Sequence, residues 1–181
     1  MEFDEGLRIV ASLMDISART APKARGIDTI VTKTLTGDEL KNIAVRMEEM
    51  GEELEVAFFI RDAASMRNAG VCLLIGCRGF EATGLNCGGC GKTKCSELQN
   101  QTLQHGIDTV YSGPNCALRV TDLGIAVGSA AKTASMHNVD NRILFSAGCA
   151  ALALDLLPEC TIAYAIPLSV AGKNIFFDRA A

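Results

Sequence analysis

Three cysteines crowd into one glycine-rich stretch, Asn86-Cys87-Gly88-Gly89-Cys90-Gly91-Lys92-Thr93-Lys94-Cys95, at the spacing C-x2-C-x4-C. A fourth, Cys116, follows after twenty intervening residues at the end of Gly113-Pro114-Asn115-Cys116. No other feature constrains the fold as tightly. Three close thiols and one distant one are the usual sequence form of a four-cysteine metal site, and such a site requires the two segments to meet in space. Gly88, Gly89 and Gly91 supply the conformational freedom that lets backbone N–H groups approach sulfur.

The spacing favours one kind of centre. A C-x2-C pair offers two corners of a cubane from a single turn, Cys95 offers a third, and the fourth must arrive from elsewhere. The pattern therefore points to a [4Fe–4S] cluster on Cys87, Cys90, Cys95 and Cys116. Lys92 and Lys94 stand where they would offset the negative charge of such a centre. Cys95 is expected just ahead of a polar helix over 96–104, where the helix dipole favours a thiolate.

Zinc takes the same ligands and stays as the competing reading, although glycine density and uneven spacing suit zinc ribbons less well. A thioredoxin-type dithiol would use Cys87 and Cys90 and leave Cys95 and Cys116 idle. For the fourth position Cys77, expected in a loop after an apolar strand, rivals Cys116. Cys149 and Cys160 read as small buried hydrophobes. Cys90-Gly91-Lys92-Thr93 ends like a phosphate-binding loop, but Asn86 stands where its first glycine belongs.

Eight cysteines would suit a disulfide scaffold only in an exported chain. The N-terminus, Met1-Glu2-Phe3-Asp4-Glu5, shows no signal-peptide pattern, so the expected address is cytoplasmic. The most apolar run, Ile143 to Leu157, is too short to cross a bilayer and contains Asp155, so no membrane association is expected. A net charge of −4 with both signs interspersed leaves no basic stripe, which argues against nucleic acid. His105 and His137 sit at helix ends without a serine or carboxylate pattern around them, so hydrolysis has no support. A redox partner protein or a small-molecule electron acceptor is the expected partner. Mean hydropathy of +0.23 is high for a monomer and points to a homo-oligomer, with a dimer expected.

Along the chain, Phe3, Leu7, Val10 and Met14 fall on one face of a helix over 4–17. A basic loop, Ala18 to Gly26, precedes a strand over 27–35. Thr36 and Glu39 match a capping box opening a helix that Gly51 is expected to close, with Leu40, Ile43, Ala44 and Met47 as its buried stripe. A helix ending near Asn68 leads to a buried strand, Val71 to Gly76. Small-residue helices follow Cys116 and the polar break 136–141, and a last strand covers Thr161 to Pro167. Strands and helices interleave, which defines an α/β (α+β) single domain, 1–181, carrying an inserted cysteine-rich segment, 84–116.

Two resemblances extend this reading. The segment Gly84–Cys116 resembles the small iron–sulfur domain of electron-transport and corrinoid iron–sulfur proteins, which show Asn-Cys-Gly-x-Cys-Gly-x-x-x-Cys and then a Gly/Pro-flanked cysteine. The whole chain looks like a family of prokaryotic proteins described only as containing a ferredoxin domain. Outside the cysteine loop it is similar to flavin-dependent nitroreductases at Ala18–Gly26, at Asp122-Leu123-Gly124-Ile125-Ala126, and from Ala163 to Arg179. That resemblance implies a nitroreductase-like mixed sheet flanked by helices, with FMN as a second cofactor. It also implies Arg19, Lys23, Lys173 and Arg179 as candidates for the FMN phosphate, although the paired arginines usual in that family's N-terminal motif are missing. Taken together the resemblances imply an oxidoreductase or electron-transfer protein.

Overall fold

Each residue along β2 (Val71–Cys77) is buried, and the reason lies in what covers the two faces of the sheet. In this computed structural model, which describes residues 3–103 and 110–177, β2 pairs with β1 (Ile30–Thr36) on one side and β4 (Ile162–Ser169) on the other. A two-residue strand, β3 (Asp140–Asn141), completes the order β1-β2-β4-β3. All pairings are antiparallel, so the mixture lies in the alternation of helices with strands.

The period of two along each strand sorts the side chains into two cores. Leu73 and Ile75 of β2, with Ile166 and Leu168 of β4, face α1 (Asp4–Thr20) and α5 (Ala117–Met136). Cys72 and Leu74, with Ala163 and Ala165, face α2 (Asp38–Glu53), α3 (Ala57–Arg67) and α6 (Phe145–Ala153). Helices on both faces explain why the central strands read as unbroken apolar runs. Each fully buried Leu or Ile here contributes about 1.5–3 kcal/mol.

Leu7, Val10 and Met14 are buried as the helical period requires, but Phe3 is 54% exposed ahead of the helix. Helix α1 also runs on to Thr20, so the first three residues of the expected basic loop are helical. Thr36 is the last residue of β1 rather than an N-cap. Gly37 caps α2 with φ of 57°, while Glu39 still reaches back to accept from the Thr36 N–H at 3.3 Å.

Gly51 does not end α2, which continues to Glu53. A Cβ there would lie 2.8 Å from Ile60 Cγ1 and 3.1 Å from Phe59 Cβ, so this glycine lets α3 pack close. Gly148 has the same role in α6, where a Cβ would run into the Ala163 carbonyl of β4. Cys149 and Cys160 are buried as expected. Burial pushes both thiols up to about 12.

Candidate metal centre

The site begins where β2 ends. Cys77 is the last residue of that strand, buried, with its sulfur 3.4 Å from the Thr29 hydroxyl. It is not in a loop, and burial raises its thiol against the smaller opposing effect of the Thr29 hydrogen bond. Its neighbour Gly79 makes the first long-range connection. The Gly79 N–H donates to Thr161 Oγ1 at 3.1 Å, and its carbonyl accepts from the Cys116 N–H at 2.7 Å. A side chain at 79 would collide with Asn115 Oδ1, which accepts from the Thr161 hydroxyl. One glycine thus docks the segment carrying Cys116 against the end of the sheet.

The cysteine loop follows. Asn86, Gly88 and Gly91 all take positive φ (50°, 73° and 78°), a conformation that glycine and asparagine tolerate best. The Gly91 N–H donates to the Gly88 carbonyl at 2.9 Å and closes a tight turn over Cys90. Asn86 fastens the far end. Its amide N–H donates to Cys95 Sγ at 3.3 Å, and its side-chain carbonyl accepts from the Cys95 N–H at 2.8 Å. The following helix α4 is only Cys95–Gln99, too short for its dipole to matter much, so Asn86 rather than a long helix supports the Cys95 sulfur. Buried Leu98 anchors it.

The loop leans on the start of α5. A Cβ at Gly89 would stand 3.3 Å from Ala117 Cβ and 3.6 Å from Cys87 Sγ, so Cys87 lies close to the residue that follows Cys116. Cys116 itself is buried and occupies the N-cap position of α5. Burial alone would raise its thiol. The backbone N–H groups of Arg119, Thr83 and Leu118, with the Thr83 hydroxyl, outweigh that and hold it below the ordinary thiol range.

Cys87 is exposed and Cys90 and Cys95 are half-buried. Among the described residues, no three metal-ligating side chains converge closely enough to hold an ion. The structure therefore brings the loop onto the Cys116 end of α5 without closing a coordination sphere. In donor chemistry the residues suit a thiolate-bound cluster: soft sulfur donors, a conformationally free loop, and one thiol more acidic than usual.

A charged pair that the sequence reading passed over secures this region. Arg119 is 1% exposed and its guanidinium donates to the carbonyls of Glu81 (3.2 Å), Ile27 (3.0 Å) and Ala24 (3.4 Å). It also pairs with Asp122 at 3.2 Å, and the other Asp122 oxygen accepts from the Ala24 N–H at 2.9 Å. Arg25, exposed with φ of 59°, donates to the Thr83 carbonyl at 2.9 Å. A signal was available: an Arg and an Asp at i, i+3 inside a helix otherwise built of small apolar residues need a buried partner.

The residues expected at an FMN phosphate behave differently. Lys23 is almost wholly buried and donates to the carbonyls of Ala18, Arg19 and Ala21, satisfying the end of α1. With three donors spent, none is left for a phosphate. Arg19 pairs with Asp28 at 3.0 Å and also donates to the Ile30 carbonyl and Thr32 hydroxyl. Lys173 is exposed beyond β4, and Arg179 and His105 lie outside the described residues. Of the four candidates, Lys23 and Arg19 are thus engaged by protein groups.

Solved structures define the class of architecture. A BluB-like flavoprotein from Clostridium difficile 630 superposes with a TM-score of 0.59 at 14% identity, covering 96% of this chain and 84% of that one. A Desulfovibrio desulfuricans protein assigned as a nitroreductase, solved in complex with FMN, gives 0.58 at 14% identity, covering 96% and 79%. The fold is nitroreductase-like. The sequence relationship is closer with an uncharacterized protein of Archaeoglobus fulgidus, 45% identical over 177 residues, 98% of this chain and 94% of that one. Residues 112–179, which include Cys116 but not the cysteine loop, match the model of a family described as uncharacterized protein containing a ferredoxin domain. The chain belongs to that family.

Proposed function

We propose that the chain is an iron–sulfur redox protein that holds one [4Fe–4S] cluster on Cys87, Cys90, Cys95 and Cys116 and passes single electrons. One observation carries the reading: the Gly89 turn of the cysteine loop packs against Ala117, the residue next to buried Cys116. Support comes also from the family's ferredoxin description.

When bound, the cluster would supply one-electron chemistry; the protein's part is to hold and tune it. Asn86 fixes the Cys95 sulfur, Gly88 and Gly91 let the turn carry two thiols, and the Cys116 N–H bonds keep the fourth sulfur in place. All eight cysteines are free, which suits a reducing cytoplasm, and no helix is long and apolar enough to cross a membrane. The electron partner in this reading is a redox protein or small-molecule acceptor, and the active form is a homodimer.

FMN enters this proposal only through the nitroreductase-like fold, since one solved relative carries it. No step is assigned to it, because Lys23 and Arg19 are committed elsewhere. Anaerobic purification with metal, sulfide and flavin analysis tests both cofactors. Sulfide with iron supports the reading, and stoichiometric zinc without sulfide overturns it.

A further inference from the structure

We infer that the exposed face of the cysteine loop, with Arg25 beside it, is a docking surface for a small acidic electron-transfer protein. Exposure and charge alone define the surface; that its partner carries electrons rests on the cluster reading above. Residues 84–89 form an unbroken exposed run, and it contains no charged side chain. Leu85 stands in that run with 50% of its surface in water. Cations flank the run. Arg25 lies at its start, where the guanidinium donates to the Thr83 carbonyl at 2.9 Å and a Cβ on Gly84 would stand 3.0 Å from it. The Lys92 carbonyl lies 4.0 Å from the Cβ position of Gly88. Lys94 precedes Cys95, which Asn86 ties back to the run by two hydrogen bonds. Three cations therefore share one closed loop surface with Leu85 and the exposed Cys87.

None of the three cations has a carboxylate partner among the described residues. The carboxylates on the neighbouring segments are engaged elsewhere: Glu81 by Arg78 at 2.7 Å, Asp28 by Arg19 at 3.0 Å and Asp122 by Arg119 at 3.2 Å. Glu97, the acid of α4, accepts from the Thr93 hydroxyl at 2.8 Å. Elsewhere on the surface Arg46 faces Glu49 and Glu53, and Arg67 faces Glu48. On a chain of net charge −4 the loop is thus a local reversal of sign.

An acidic partner face complements this patch and is steered to it, while a basic one is repelled. Protein fits better than nucleic acid. Tight hold on a duplex draws on roughly six to ten phosphate contacts, against three cations here. An apolar side chain among the charges also gives the patch the mixed make-up of a protein contact. Its small extent suits the transient class of interfaces below about 1,200 Å², where electron-transfer encounters fall.

The experiment measures binding of the purified full chain to two acidic carriers, a flavodoxin and a plant-type ferredoxin, with basic cytochrome c as the comparison. Titrations run at about 10 and 150 mM salt, over which the screening length falls from about 30 to 8 Å. Binding to at least one acidic carrier, weakened about tenfold or more by the added salt, is expected. Lys92→Glu with Lys94→Glu should abolish it and Leu85→Ser should weaken it. Lys132→Glu, an exposed change sixteen residues beyond Cys116 along α5, should leave it unaltered. If the double variant does not fold, Lys94→Glu alone decides by the same measure. Binding to neither acidic carrier, equal binding to cytochrome c, indifference to the lysine reversals, or tighter binding to duplex DNA overturns the inference. Iron and sulfide analysis of the same samples keeps the two claims apart. Lysine-dependent binding by a chain that holds no cluster leaves the surface standing and overturns the cluster reading.

Discussion

Asn86 and Cys95 are joined by two hydrogen bonds in opposite directions, amide to sulfur at 3.3 Å and amide to side-chain carbonyl at 2.8 Å. The pair closes the cysteine loop across nine residues, and its geometry needs the positive φ at Asn86. An asparagine in this position therefore has two duties. Its backbone tolerates the left-handed conformation, and its side chain occupies the Cys95 N–H.

Asn86→Ala should damage both. The left-handed conformation costs a β-carbon about 1–2 kcal/mol, and the lost hydrogen bond about 1 kcal/mol more. Cluster loss to a chelator should accelerate by roughly tenfold or more. Asn86→Gly, which keeps the conformation and loses only the bond, should fall between the variant and wild type.

Thiol accessibility should separate the loop cysteines from those of the core. In the metal-free chain, alkylation under native conditions should reach Cys87 first, with Cys90 and Cys95 following, as their exposure dictates. Cys72, Cys149 and Cys160 are buried, and burial raises their thiols strongly, so they should react only after unfolding. Mass spectrometry of labelled peptides reads the order. Cys149→Ala and Cys160→Ala should keep iron binding, whereas Cys87→Ser should abolish it.

Much of the fold was legible in the sequence because burial imposes its period. The stripe on α2 and the apolar run of β2 declared themselves, and both cores follow from them. What misled was residue identity without context. Gly51 looks like a helix stop but serves a close helix contact, and Thr36 looks like a cap but belongs to a strand. At the site, the cysteine spacing named its candidates. The pair Arg119–Asp122 shows in the sequence only as an i, i+3 charge pair in an apolar helix; which groups it binds does not, since they are carbonyls about 40 and 95 residues away. The nitroreductase resemblance implies Lys23 as a phosphate candidate, and its three carbonyl partners are visible only in the fold.

Glycine substitutions should separate close packing from open surface. Gly148→Ala forces a methyl group into the backbone of β4 and should destabilise by about 3 kcal/mol or more. Gly124→Ala, on an open face of α5 with nothing within 4 Å, should be neutral or stabilise by up to about 1 kcal/mol. Denaturant unfolding of the two variants tests the difference.

Acid stability should depend modestly on Asp28. Burial tends to raise its carboxyl, but the Ile30 N–H, the Arg19 hydrogen bond and the charges of Lys23 and Arg19 together hold it below the ordinary value. A folded value below the unfolded one means that ionised Asp28 stabilises the fold above the unfolded pKa, and that this is lost as pH falls through the folded pKa. Asp28→Asn should therefore flatten the stability curve below about pH 4. Solvent screening of a side chain 37% exposed keeps the effect under about 1 kcal/mol. Chemical denaturation at a series of pH values checks the sign.

The most direct test of the whole account is iron, sulfide and zinc analysis of the anaerobically purified chain, with its visible spectrum before and after dithionite. The account predicts about four irons and about four sulfides per chain and a brown absorption that bleaches on reduction. One zinc per chain with no sulfide, or a colourless protein that takes up no iron on reconstitution, would contradict it.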